Sequence, residues 1–224
     1  FNHFFKSFTV IVIICLAGSV NGQSMEEART LYNEGGTAVQ EGNIELGVQK
    51  FEECVAMCET LYEEEEDTEA EELMMTVQQS LPKLYLQLSQ TKAKSKDFQA
   101  GIEYAIKAKE AAKVVRNKDI STKASGLASK IYYATGYGNY KAQKMDIAIK
   151  DLDNSIKEDP ENFRAHLLRI VILKETGDEE ALIAATKDVM AVNAKDDDKD
   201  KAISTTATHF LKEGATSKQS ADYD

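Results

Sequence analysis

Apolar residues recur every three or four positions along most of the chain, which is the period of one face of an α-helix. Polar residues occupy the positions between them, so each helix would bury one side and leave the other in water. The clearest run consists of Ile44, Val48, Phe51, Val55 and Leu61. Turn residues are scarce, with 2 Pro and 12 Gly in 224 residues, whereas strand proteins need many of them. The pattern therefore predicts an all-α fold.

Capping residues and turns divide this pattern into helices. Ser24 and Glu27 fit a capping box at the first helix start, and Thr68 with Glu71 opens a later helix. In that later helix Pro82 either introduces a kink or starts a separate helix. The predicted helices are 24–40, 44 onward, 68–94, 98–115, one capped by Asp119 or Ser121 that ends near Tyr140, 145–157, one opened by Asp159-Pro160 that ends near Gly177, and 179–192. A last helix would present one stripe formed by Ala202, Ile203, Ala207, Phe210 and Leu211.

Residues 1–22 have the pattern of a secretory signal peptide. Lys6 supplies the positive charge, residues 8–16 are apolar, and Val20 and Gly22 are small residues at the cleavage-critical places, so we expect cleavage before Gln23. The apolar run is short for a membrane span, and an uncleaved N-terminal anchor is the alternative. We expect an exported protein, in the periplasm or cell envelope or secreted, without membrane insertion after cleavage. The polar segment 213–224 is predicted to be a disordered tail.

The charge pattern limits the classes of partner that the protein is expected to bind. A net charge of −11 disfavours binding to nucleic acid or anionic lipid. Residues 59–72 contain nine acidic residues and no Lys or Arg. Such a run is typical of a solvated helix end. A calcium site is the sharper alternative, but the alternating Asp-x-Asp-x-Asp-Gly loop that would support it is missing.

The sequence offers little that catalysis could use. It contains no HExxH or GxSxG motif and no Walker-type glycine loop, so we expect no enzyme, no metal and no cofactor. Cys54 and Cys58 lie four residues apart on one predicted helix face, where a disulfide would need distortion. We expect them to be small buried side chains.

Three segments repeat one arrangement of small and large residues, and the third of them ends in Asp159-Pro160-Glu161-Asn162. The segments cover 31–55, 83–108 and 130–160, and a weaker fourth covers 163–192. This pattern resembles the tetratricopeptide repeat (TPR), a helix-turn-helix unit of about 34 residues. Small residues are expected where neighbouring helices approach closely, at Gly47, Gly101, Ala148 and Ala181. The intervals between the first three exceed the TPR period, so the first two units should be taller than usual.

The resemblance implies a TPR-like α-solenoid of stacked antiparallel helix pairs over 23–212, closed by a C-terminal capping helix. In this family the first helices of the units line a concave groove that binds a peptide or protein segment. The corresponding positions are Arg29, Tyr32, Lys83, Lys94, Lys130, Tyr133, Tyr137, Tyr140, Lys141, Arg164 and Lys174. Their basic side chains would suit an acidic segment, although Lys and Arg also cover exposed helix faces without any ligand.

Two functions agree with this arrangement. The first is a non-enzymatic scaffold or adaptor of the cell envelope, which binds a protein in its groove. The alternative is a structural subunit of a membrane-associated envelope assembly, tethered by an uncleaved leader.

Overall fold

The computed structural model describes residues 24–193, 199–200, 202–206 and 208–209. Residues 24–193 form eight helices, and no strand occurs among the described residues, which confirms the predicted all-α fold. Their bounds are α1 Met25–Gln40, α2 Ile44–Glu65, α3 Thr68–Lys94, α4 Phe98–Val114, α5 Lys118–Lys141, α6 Met145–Glu158, α7 Phe163–Thr176 and α8 Glu179–Ala191. The predicted signal peptide at 1–22 and the predicted tail at 213–224 lie outside the described residues.

Side-chain caps set most helix starts. Ser24 accepts a hydrogen bond from the Glu27 amide (3.2 Å), as the capping box predicts. Three predicted caps are wrong. Asp67, and not Thr68, caps α3 by accepting from the Glu69 and Ala70 amides at 2.8 and 3.1 Å. Asn117, and neither Asp119 nor Ser121, caps α5 by accepting from the Ile120 amide at 3.1 Å. Likewise α7 begins after Asn162, and Asp159 and Pro160 belong to the turn before it.

Pro82 lies inside α3 and does not start a separate helix. Proline cannot donate the backbone hydrogen bond to residue 78, and this loss normally destabilises a helix interior. Here the Pro82 side chain is fully buried. Tertiary packing therefore holds α3 together across the proline.

Consecutive helices pair in antiparallel fashion. Cys54 of α2 hydrogen-bonds to the carbonyl of Ala28, and Lys50 forms an ion pair with Glu34, so α1 and α2 run in opposite directions. The same order holds in α5 and α6, where Asn139 contacts Asp151 and Ser129 contacts Ser155. Each helix contacts the next one along the chain from α1 to α8. The predicted stack of helix pairs is thus confirmed.

Small residues lie where the helices of a pair come closest. Gly47 is buried, and a Cβ atom added there would lie 3.0 Å from the Gly35 carbonyl oxygen. Gly101 and Ala148 are buried as predicted. Ala181 is only half-buried, and the fully buried small residue of α8 is Ala185. The fourth unit therefore departs from the predicted spacing.

The motif Asp159-Pro160-Glu161-Asn162 acts through its last residue. The Asn162 Nδ2 group donates to Ser129 Oγ (2.9 Å) and to Ser155 Oγ (3.0 Å), while Asn162 Oδ1 accepts from the Ala165 amide. Ser129 and Ser155 are fully buried. A buried hydroxyl without a hydrogen-bond partner costs free energy. The Asn162 side chain therefore supplies a partner to one buried hydroxyl in each of α5 and α6, and it also caps α7.

The run 202–206 is helical and packs on α8. Ala202 and Thr206 are its buried residues, and Thr206 hydrogen-bonds to Thr186 of α8 at 2.8 Å. Ile203 is exposed, so the predicted stripe is wrong at this position. Ala207, Phe210 and Leu211, which were predicted to continue the stripe, lie outside the residues whose side chains are described.

We expect Ala148→Leu to lower the free energy of unfolding by about 1–3 kcal/mol, because the larger side chain overpacks the contact between α5 and α6. Thermal or urea denaturation measures the change. The neighbouring variant Ile147→Leu is the control, because Ile147 is half-exposed, and it should leave stability nearly unchanged. Equal stability of the Ala148→Leu variant and the parent chain would contradict the assigned contact.

Lys96 and Gln143 follow α3 and α5 with positive φ angles of 65° and 59°. At the equivalent place after α7 the residue is Gly177, with φ 77°. A residue with a Cβ atom costs free energy in this left-handed conformation, whereas glycine does not. We therefore expect Lys96→Gly and Gln143→Gly each to raise the free energy of unfolding by about 0.5–1 kcal/mol, after the entropy that glycine adds to the unfolded chain.

Gly177→Ala is the reciprocal control and should lower stability by about 1 kcal/mol. Urea denaturation of the three variants tests the set. If both glycine substitutions lowered stability, the left-handed backbone conformation of Lys96 and Gln143 would not be costing the folded protein free energy.

Candidate functional site

The odd-numbered helices form one layer of the stack and the even-numbered helices form the other. The helices are more closely spaced in the first layer than in the second. The odd-numbered helices α1, α3, α5 and α7 contact one another in sequence, whereas within the described residues the backbones of α2, α4, α6 and α8 do not contact one another. The stack must therefore curve towards the odd-numbered layer. We call the exposed side of α1, α3, α5 and α7 the inner face. Because α3 and α5 are covered by even-numbered helices on both flanks, their exposed mid-helix positions lie on this face.

The first part of the inner face is a shallow cleft between α1 and α3 of about 290 Å³, lined by Tyr32, Gly36, Gln40 and Ser80, among others. Tyr32 is half-buried against Phe51, with ring centroids 5.9 Å apart. Arg29 forms an ion pair with Glu69 of α3, and the hydrogen bond that it donates to that carboxylate raises the pKa of Arg29. Arg29 is therefore committed to a link between the first two odd-numbered helices.

Lys83 and Lys94 extend the inner face along α3. At 3.6 residues per turn, both lie within roughly 60° of Ser80 around the helix axis. Both side chains are exposed. No carboxylate of the described residues lies within 4.0 Å of either ammonium group. These two predicted groove lysines are therefore placed on one exposed stripe and are available to a ligand.

The α5 helix contributes the aromatic part of the face. The rings of Tyr133 and Tyr137 stack at 6.5 Å with an interplanar angle of 22°. Lys141 Nζ lies 5.4 Å from the Tyr137 ring centroid and 6.0 Å from that of Tyr140. Such cation–π contacts are worth about 0.5–1 kcal/mol at exposed sites. They hold the ammonium group of Lys141 in place while it stays exposed, and Lys130 is exposed on the same helix.

The α7 helix completes the face. Arg164 is exposed and Lys174 is half-buried. The Tyr140 hydroxyl donates to Glu175 Oε1 at 2.8 Å, and this hydrogen bond raises the pKa of Tyr140. Glu175 was not among the predicted residues, and it gives α7 one negative charge on this face. Tyr140 thus links α5 to α7 as Arg29 links α1 to α3.

Helix pairs stacked in chain order, with the first helix of each pair on the narrow side, form a TPR solenoid. The chain has the TPR fold. No protein-family model and no curated protein sequence matches it. Solved structures that resemble it share little sequence, so the fold assignment depends on the contacts described above.

Three of these structures illustrate the likeness. Yeast Tom70 has 12% identity and a TM-score of 0.39 over 84% of this chain and 40% of Tom70, so the chain spans less than half of that protein. A thermophilic TPR protein of Thermus thermophilus has 17% identity and a TM-score of 0.29, over 84% of this chain and 83% of that one. The TPR2AB domain of yeast Sti1, in a complex with pHSP90, has 12% identity and a TM-score of 0.33, over 84% and 98%.

A polar cluster joins the first two TPR units on the side opposite the inner face. The hydroxyl of Tyr85 donates to Glu52 Oε1 (2.7 Å), and Lys107 Nζ donates to the same oxygen (2.9 Å). Lys107 also lies over the rings of Tyr85 and Tyr104. Burial, followed by the bond to Glu52, raises the pKa of Tyr85. The sequence gives no signal for this cluster, because its members come from three helices of two units.

None of the helices in the described part of the chain combines the length and the hydropathy that a membrane crossing requires. In the same part, no three His, Cys, Asp or Glu side chains converge as a metal site would need. The acidic residues of 59–72 lie at the end of α2, in the turn and at the start of α3.

Cys54 and Cys58 are buried free thiols, as predicted. Burial, followed by the neighbouring Cys58, raises the pKa of Cys54 to about 12. The thiolate is the reactive form of cysteine. The structure therefore assigns both residues to packing inside the first TPR unit.

We expect neither cysteine to react with iodoacetamide at about pH 8 in the folded protein, because the thiols are buried and their pKa values are raised. Both should react fully in guanidinium chloride, as measured by mass spectrometry of the peptides. The variant Tyr62→Cys places a thiol at an exposed position of the same helix and is the positive control. Labelling of Cys54 at the control's rate would refute this assignment.

Proposed function

We propose that the chain is a non-enzymatic scaffold that binds an acidic segment of a partner protein along the inner face. The observation that supports this proposal is the contrast in charge. The protein has a net charge of −11, but its inner face carries six basic side chains without an ion-pair partner among the described residues. They are Lys83, Lys94, Lys130, Lys141, Arg164 and Lys174.

The basic residues are distributed along the stack instead of converging on one point. An elongated acidic segment could contact α3, α5 and α7 in turn, whereas a compact anion would meet only one or two charges. Each exposed ion pair contributes about 0.2–1 kcal/mol, so useful affinity requires several contacts at once. Tyr137, which is 44% exposed, adds apolar contact area in the middle of this path.

The location of this function is part of the proposal. The signal-peptide pattern at 1–22 supports export, to the cell envelope or the medium, where such a scaffold would hold an envelope or secreted partner. No cofactor, metal or nucleic acid enters the proposed function. N-terminal sequencing of the protein isolated from its source would test the leader, and a start at Gln23 would support a released scaffold over a tethered subunit.

The test is binding of a fluorescent peptide of alternating Glu and Ser, measured by anisotropy against a matched peptide of alternating Gln and Ser. We expect the Glu peptide to bind more tightly, and binding to weaken at high salt because exposed charges are screened. The triple variant Lys83→Glu, Lys130→Glu, Arg164→Glu removes three contacts and should weaken binding roughly tenfold or more.

The matched control is Lys113→Glu, Lys150→Glu, Lys187→Glu. These three side chains are exposed on the even-numbered helices, so the control has the same net charge as the inner-face variant. It should bind the Glu peptide nearly as the parent does. Equal affinities of the two triple variants would reject the inner face as the binding surface.

A further inference from the structure

The corner between α2 and α3 is the most acidic part of the molecule. We call residues 59–75 the acidic corner. It contains the nine acidic residues of 59–72 and no Lys or Arg. Only one of its carboxylates, that of Glu69, forms an ion pair within the described residues, with Arg29. Glu63, Glu64 and Glu66 are exposed. Most of this charge is therefore not compensated by neighbouring side chains.

The corner projects from the stack. Ser89 Oγ of α3 donates to the Gly101 carbonyl of α4 at 2.6 Å. Because the two helices are antiparallel, position 76 of α3 lies opposite Val114, where α4 ends. The eight residues 68–75 extend beyond that point by about 12 Å at 1.5 Å per residue. On this flank the corner is a helical hairpin that extends past the end of α4.

Two large apolar side chains are exposed on the same protrusion. Tyr62 of α2 is 39% exposed and Met75 of α3 is 48% exposed. Exposed aromatic and methionine side chains are enriched at protein interfaces, which have a polar rim. The corner therefore combines negative charge with apolar contact area. Its complement is a surface that combines positive charge with aromatic residues, as the inner face does with Lys141 and Tyr137.

The corner is well separated from the unpaired lysines of α3 and α5: even Lys83 lies about 24 Å from Asp67 along α3. Lys94 lies at the opposite end of α3, about 40 Å from Asp67 along one continuous helix. Lys141 ends α5, which runs in the same direction as α3, so it too lies at the far end of the stack. Within one molecule the corner contacts the inner face only through the Arg29–Glu69 ion pair among the described residues, so pairing with the unpaired lysines requires a second molecule.

We propose that the acidic corner of one molecule docks on the inner face of a second copy of this chain. The two surfaces are different patches, so the contact is heterologous and can continue into a ring or an open chain of molecules. This inference depends on the proposed function, since it names an occupant of the inner face. Its contacts are exposed ion pairs, so the association is concentration-dependent and is lost at high salt.

Sedimentation velocity of the full chain over a range of concentrations tests the proposal. At about 50 mM NaCl we expect the sedimentation coefficient to rise with concentration, and at about 500 mM this rise should disappear. The corner variant Glu63→Lys, Glu64→Lys, Glu66→Lys should stay monomeric, as should the inner-face variant Lys83→Glu, Lys130→Glu, Arg164→Glu. An equimolar mixture of the two variants should associate again, because each basic surface then has an acidic one to bind.

The control for the corner variant is Glu103→Lys, Glu179→Lys, Glu180→Lys, which changes three exposed carboxylates of α4 and α8 and should still associate. Circular dichroism checks that every variant is folded. A parent chain that remains monomeric at low salt overturns the proposal, as does a corner variant that associates like the parent. If the Glu peptide still binds the inner face in either case, the proposed function stands and only the identity of this occupant is wrong.

Discussion

The close approach of paired helix backbones is the constraint on which the rest of this structure depends. Two helices can come this near only where one of them carries almost no side chain. Gly47, Gly101 and Ala148 meet that need, one in each of the first three units. Large residues then fill the space on either side, as Phe51 does against Gly35. Without these contacts the helices of a pair could not pack closely. The pairs must then stack on one another, since a single pair is too small to bury the apolar stripe of each helix.

Most exposed residues of the inner face are therefore not needed for helix packing. Apolar residues are used between helices, and the exposed side of the odd-numbered helices needs only to be soluble. Charged and aromatic residues can be changed there with little effect on the core. The exceptions are Tyr32 and Tyr133, which pack against the core, and Arg29 and Tyr140, whose side chains bond to the next odd-numbered helix. Arg29 and Tyr140 help to set the curvature of the face, while Lys83 and Lys130 have no such bond among the described residues.

Much of this architecture could be predicted from the sequence, because helix period and small-residue spacing are local signals. The pairing of α1 with α2 follows from Gly42-Asn43 and Gly47 alone. The residues that cap the helices were harder to predict. Asn117 and Asn162 both lie in polar stretches where several neighbours could serve as caps, and only the folded chain selects between them. Contacts between units could not be predicted at all. The pairs Arg29–Glu69, Tyr140–Glu175 and Lys107–Glu52 depend on how one unit is rotated against the next, and no local sequence signal encodes that rotation.

The acidic corner has an energetic consequence for the folded chain. Glu59 is partly buried at its base, and burial together with repulsion from Glu63 raises the pKa of its carboxyl group. A raised carboxyl pKa in the folded state means that the ionised group opposes folding, so its unfavourable contribution grows as the pH rises through the unfolded value and reaches its full size above the folded one. Repulsion among the neighbouring carboxylates acts in the same direction. The Arg29–Glu69 ion pair compensates one carboxylate of the corner, and the sequence places no Lys or Arg between 59 and 72 that could compensate the others locally. A partner that supplies positive charge from outside would reduce this repulsion and so stabilise the folded corner.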